Sequence, residues 1–237
     1  MPGYYGGYYG IDMYYIILVL PAIVFALWAQ AKVSGTFRKY SQVRPRNGMT
    51  GAQAAEAVLR ANGVAGVRVE HIGGNLTDHF DPREGVIRLS DAVYNASTVA
   101  AIGVAAHEAG HAAQYANSYA PIKVRNAIIP VSRVGSTLSW PLLLIGLVLN
   151  SQPLVTIGIL FFLAAVIFQL VTLPVEFNAS TRAIAALADG GYLTEDELPG
   201  ARKTLSAAAM TYVAALAVSL AQLLRLVLLF GGGRRRD

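Results

Sequence analysis

His107, Glu108 and His111 stand together as HEAGH, a set whose residue types and spacing suit one chemistry. On a helix, side chains four apart share a face, so the two imidazoles point the same way one turn apart. Two neutral imidazoles make two corners of a tetrahedral zinc site and leave room for a water. Glu108 flanks that water, where it can take the proton as zinc lowers the water's pKa toward about 7. From Ala100 to Ala113 the segment is apolar nearly all round, which predicts a buried helix. Two histidines and a glutamate buried there without partners are costly, and a metal removes that cost.

A catalytic site needs a third protein ligand. The metzincin pattern places Gly at 114 and His at 117, whereas this chain has Gln114 and Asn117. His71, His79 and a distant acid are left, and with no cysteine a thiolate ligand is excluded. Glu176 stands out because it follows an apolar hairpin, just after Pro174, where a new helix is expected to start. Two spans separate it from His111, and an even number returns the chain to the same side. Its other readings are a charge complementing that helix N-terminus or a partner for Arg182. His79 could donate to a developing oxyanion, with Arg182 and Tyr212 as alternative donors. Arg182 is equally suited to a salt bridge, and His71 reads as structural. Val86–Leu89 could be an edge strand that a peptide pairs with, or an ordinary sheet strand.

These residues sit in an unusual composition. Of 237 residues, 54% are hydrophobic and 14% charged, and the mean hydropathy is +0.46. A soluble domain carries roughly a quarter charged residues, so disorder, collagen-like repeats and an ordinary soluble enzyme are excluded. The net charge of +5 comes from 19 basic and 14 acidic residues, but the basic ones flank apolar runs. Lys32, Arg38, Lys39, Arg44 and Arg46 follow the first run, and Arg234–Arg236 follow the last. That is a topology signal and not a nucleic-acid footprint.

The expected organisation is a mostly α membrane protein with three or four transmembrane helices and a cytosolic α+β zincin-like domain. Residues 1–12 form a Gly/Tyr-rich tail and 13–31 an uncleaved first span, with the N-terminus outside. Residues 32–133 hold the zincin domain, in which Thr50–Ala61 reads as a helix closed by Asn62-Gly63. Val67–Ile72 and Gly85–Leu89 read as strands, and Asn95 or Ser97 as the cap of the HEAGH helix. Residues 134–173 form a transmembrane hairpin, and 174–206 cytosolic helices that carry Glu176. Within these, Thr194–Glu197 has capping-box spacing. Residues 207–230 span or lie at the interface, despite Gln222 and Arg225, and 231–237 are a basic tail.

HEAGHAAQ, the upstream DHFDPREGVIRLSDAVY and the downstream VEFNASTRA together resemble the YugP-type membrane zinc metallopeptidases, over about residues 35–225. More distantly they are similar to the gluzincins that include HtpX and the CAAX prenyl protease. The resemblance implies zinc held by His107, His111 and Glu176, with Glu108 as general base. HtpX-like relatives carry ExxAD after the third ligand, and here Ser180 stands where that Asp would be. Asn178 or Asp91 could support a zinc histidine instead. The expectation is a zinc endopeptidase acting on peptides or proteins, membrane proteins among them, at the cytosolic face of a bacterial inner membrane. Quality control is the role that the resemblance suggests. Its rivals are a non-proteolytic membrane adaptor with a structural zinc, and a transporter using the three ligands as an ion site.

Overall fold

A computed structural model describes residues 12–231, so the Gly/Tyr tract and Arg234–Arg236 lie outside the described residues. A π-helical turn (Tyr15–Val19) leads into α1 (Leu20–Tyr40), followed by α2 (Gly51–Ala61). Three short strands come next: β1 (Arg68–His71), β2 (His79–Asp81) and β3 (Val86–Leu89). The remaining helices are α3 (Val99–Ala116), α4 (Ala120–Val148), α5 (Gln152–Asp189) and α6 (Leu198–Phe230). Two units result. Within the described residues, one comprises 12–29, 125–171 and 212–231, and the other Gln30–Val124 and Thr172–Thr211.

Among the described residues, four helices are long and apolar enough to cross a membrane: Tyr15–Tyr40, Ala120–Val148, Gln152–Asp189 and Leu198–Phe230. In the first unit Leu27, Leu144, Val148 and Leu160 are each more than half exposed. Water would penalise that much apolar surface, and hydrocarbon does not. Small residues let α4 and α5 approach closely, since a Cβ on Gly135 would lie 2.6 Å from the Phe161 carbonyl oxygen. Asn150, with φ of +50°, turns the chain between them. Arg225 on α6 donates through Nε to Asp12 Oδ2 at 2.8 Å and lies over the Tyr15 ring. Both charged side chains are less than one-fifth exposed.

The helix start expected at Pro174 is absent: α5 runs unbroken through it for 38 residues. Proline lacks only one donor, and a long helix held by its neighbours absorbs that loss. α6 likewise runs continuously from Leu198.

The second unit is an α/β cluster. α2 packs on α3, and the sheet has the order β1-β3-β2. β1 pairs parallel with β3, and β2 pairs antiparallel with it, placing His79 opposite Arg88. Val86–Leu89 is therefore the central strand, not an edge, and both of its backbone sides are occupied. Thr50 closes the start of α2 with a reciprocal capping box to Gln53. α3 is capped by Thr98, whose Oγ1 accepts from the Ala101 amide at 3.2 Å, and not by Asn95 or Ser97. The core joins Val58, Ile87, Leu89 and Ile102 to Leu187 and Leu205 from the ends of α5 and α6.

Candidate metal site

α3 is lined with alanine because it is packed on several sides: Ala105, Ala106, Ala109, Ala112 and Ala113 are all buried. Gly110, inside the HEAGH segment, has a specific task. A Cβ there would lie 2.5 Å from the Ala179 carbonyl oxygen of α5, so only glycine permits this approach. That contact brings Glu176 opposite the two histidines.

His107 Nε2 lies 3.3 Å from Glu176 Oε2, and His111 Nε2 lies 3.5 Å from the same oxygen. Ligands about 2.05 Å from a tetrahedral zinc are about 3.3 Å from one another, so these separations are those of a metal's coordination edges. Oε2 is buried, yet it accepts no hydrogen bond of acceptable geometry. A buried, unsatisfied carboxylate oxygen is costly, and a cation between it and the two rings satisfies it. The three side chains form a group able to hold a metal ion, so the residues present fit zinc.

The rings are aimed by their other nitrogens. Gln114 Nε2 donates to the Val175 carbonyl at 2.7 Å and to Asn178 Oδ1 at 3.1 Å. A carbonyl can only accept, so the amide orientation is fixed and Gln114 Oε1 faces His111 Nδ1 at 3.0 Å. His111 must then carry its proton on Nδ1, leaving a bare lone pair on Nε2. His107 Nδ1 meets Ser180 Oγ at 3.1 Å; the hydroxyl can accept from an Nδ1–H, so this contact allows the same tautomer without imposing it. Burial pulls the His111 pKa down, but the Glu176 carboxylate and the field of Glu108 outweigh it, and the pKa stands above its ordinary value. The same negative field favours a cation at Nε2. Glu108 is half-buried, and no described residue hydrogen-bonds or ion-pairs with its carboxylate.

The other expected site residues divide. Asn178 accepts from Gln114 and from Arg182 Nε at 2.8 Å, so it supports His111 through Gln114 and not directly. Arg182 also lies over the Tyr119 ring. Asp91 is engaged elsewhere, accepting from His71 Nε2 at 2.6 Å and from the Gly74 amide at 2.9 Å. His71 is thus tied into the sheet end. His79, at the start of β2, turns its Nδ1 back to the Thr77 carbonyl at 2.8 Å and is not part of the metal-holding group. Tyr212 is exposed on α6. Sequence reasoning missed Gln114 as a functional residue. Its signal was a polar side chain three residues after His111, alone in an alanine run, and it is fully buried.

Phe177 and Ser180, close neighbours of Glu176 on α5, wall a groove of about 550 Å³ against α6, lined further by Ile184, Leu205 and Met210.

A family model described as "Putative neutral zinc metallopeptidase" matches residues 15–231. The "Putative membrane protease YugP" of Bacillus subtilis (strain 168) is 47% identical over 222 residues, covering 94% of this chain and 99% of that protein. No solved structure matches the chain.

Proposed function

The chain belongs to the zinc metallopeptidase family whose model spans it, and we propose that it is a membrane-embedded endopeptidase of the HExxH gluzincin type. His107, His111 and Glu176 are the metal ligands in this reading, and the coordination-edge spacing around the unsatisfied Glu176 Oε2 carries it. Zinc held there lowers the pKa of a water toward about 7 and polarises a peptide carbonyl. Glu108 accepts the proton from the attacking water as the new C–O bond forms. It returns that proton to the amine as the C–N bond breaks, so the residue ends as it began. Gln114 and Ser180 hold the two rings through this cycle, and Asn178 and Arg182 hold Gln114.

The substrate is a peptide or protein segment, and the apolar groove beside Ser180 suits an apolar one. That preference supports a role in clearing unfolded or membrane-derived segments. A cytosolic active site at a bacterial inner membrane is supported by the basic run Lys32–Arg46 after the first apolar stretch. The even number of spans between His111 and Glu176 agrees with it.

Metal content and peptidase activity, measured on the parent, Glu108→Gln and Glu176→Ala, test the proposal. The parent should hold one zinc, and Glu108→Gln should keep it while losing activity by about 10²–10⁴-fold. Glu176→Ala should bind zinc much more weakly. Unchanged peptidase activity in Glu108→Gln would remove Glu108 as the general base, whereas a zinc-loaded parent without peptidase activity would favour an adaptor with a structural zinc. Full zinc in Glu176→Ala would move the third ligand elsewhere.

A further inference from the structure

Lys32 is the first charge after the apolar run 13–31, and Lys203 lies just before the run 207–230. Each lysine therefore marks where its own helix passes from apolar to charged sequence. On α1, Lys32, Thr36, Lys39 and Tyr40 share one face, and on α6 so do Lys203, Ser206 and Met210. The fold sets these faces against each other around a pocket of about 370 Å³. α1 and α6 touch beside it, since a Cβ on Gly200 would come 2.8 Å from the Tyr40 ring. Three lysines and three hydroxyl-bearing residues line the pocket, and no acidic residue does. Such a wall suits an anion with several oxygens, which complements positive charge gathered around one pocket.

We propose that this pocket binds the headgroup of an anionic phospholipid. The acyl chains, not only the phosphate, follow from what adjoins it. Met210 at the rim continues into the apolar run of α6. On α1 the apolar run 13–31 ends immediately before Lys32. A soluble phosphate has no use for a position at the ends of two apolar runs, whereas a lipid headgroup belongs at such a boundary. Basic pockets between membrane helices recognise lipid headgroups by this combination. The inference rests on the membrane setting of these helices and is independent of peptidase activity.

Native mass spectrometry of the purified full chain in dodecyl maltoside tests it, with phosphatidylglycerol, phosphatidylcholine and inorganic phosphate as probes. One phosphatidylglycerol adduct should saturate at a concentration about ten-fold or more below that needed for phosphatidylcholine. Combined Lys32→Gln, Lys39→Gln and Lys203→Gln should weaken it about five-fold per charge removed, or on the order of 100-fold in all. Lys→Arg at the same three positions should retain it. A charge-matched control, Arg44→Gln, Arg60→Gln and Arg83→Gln, should bind like the parent, and unfolding midpoints check that each variant is folded. Equal retention of the two lipids by the parent would overturn the proposal. So would equal weakening by the two glutamine sets. Complete displacement of the lipid by inorganic phosphate would reduce the site to a phosphate site and overturn the lipid assignment.

Discussion

Replacing Gln114 by methionine keeps an unbranched side chain of similar length in a fully buried space but removes its bonds to His111, Val175 and Asn178. Each such bond contributes about 1 kcal/mol net, so the metal-free protein should lose about 1–3 kcal/mol of stability. The loss at the metal is separate. Without an acceptor at Nδ1, His111 is free to rotate and to place its proton on Nε2. Removing a partner of this kind typically weakens metal affinity about 10–100-fold. Gln114→Glu distinguishes the two effects. Its carboxylate still accepts from His111, but its second oxygen faces the Val175 carbonyl and Asn178 Oδ1, which are also acceptors. It should lose more stability than Gln114→Met and less intrinsic zinc affinity. Competition with a chromophoric zinc chelator gives the affinities, and denaturant unfolding of the metal-free protein gives the stabilities. A Gln114→Met variant whose zinc affinity stays within about two-fold of the parent would refute the positioning argument.

Gly110→Ala should cost about 1–3 kcal/mol and weaken zinc binding, because the new methyl meets the backbone oxygen of Ala179, which cannot rotate away. Gly103→Ala on the same helix meets nothing closer than 3.6 Å and should be neutral or stabilising, so equal melting points for the two would refute the close-approach account. Asp91 is held below its ordinary pKa of 3.8, first by the Gly74 amide and then by His71. A lowered folded pKa contributes stability above the unfolded value that is lost as pH falls through the folded one. The stability gap between parent and Asp91→Asn should therefore be constant above about pH 5 and close below it, as read by unfolding across a pH series. A gap that persists at the acid end would contradict this.

The sequence was most informative where a pattern is local. HEAGH put two histidines on one face because helical spacing alone aligns them, and the helical period of Thr50–Ala61 with its Asn62-Gly63 stop marked α2. The family resemblance read from three motifs holds across residues 15–231. What escaped was tertiary. β2 has three residues, too few to display an alternation, and only its pairing with β3 makes it a strand. The central place of Val86–Leu89 followed from that unseen neighbour. Ser180 looked like a gap where relatives carry Asp, yet it reaches His107 because Gly110 lets α5 come close. Gln114 served only to exclude a different ligand pattern until α5 supplied its partners. Arg225 looked awkward in an apolar run because its partner is 213 residues away.

That last pairing also imposes an order of assembly. A chain made from its N-terminus places Asp12 at the head of its first helix long before Arg225 exists. Until then the carboxylate must stay in water or lose its charge, because an unpaired ion in an apolar setting costs several kcal/mol. Locking the first helix to the last therefore waits for nearly the whole polypeptide. A chain stopped before residue 225 would retain a loose first helix, a mark by which an incomplete copy differs from a finished one.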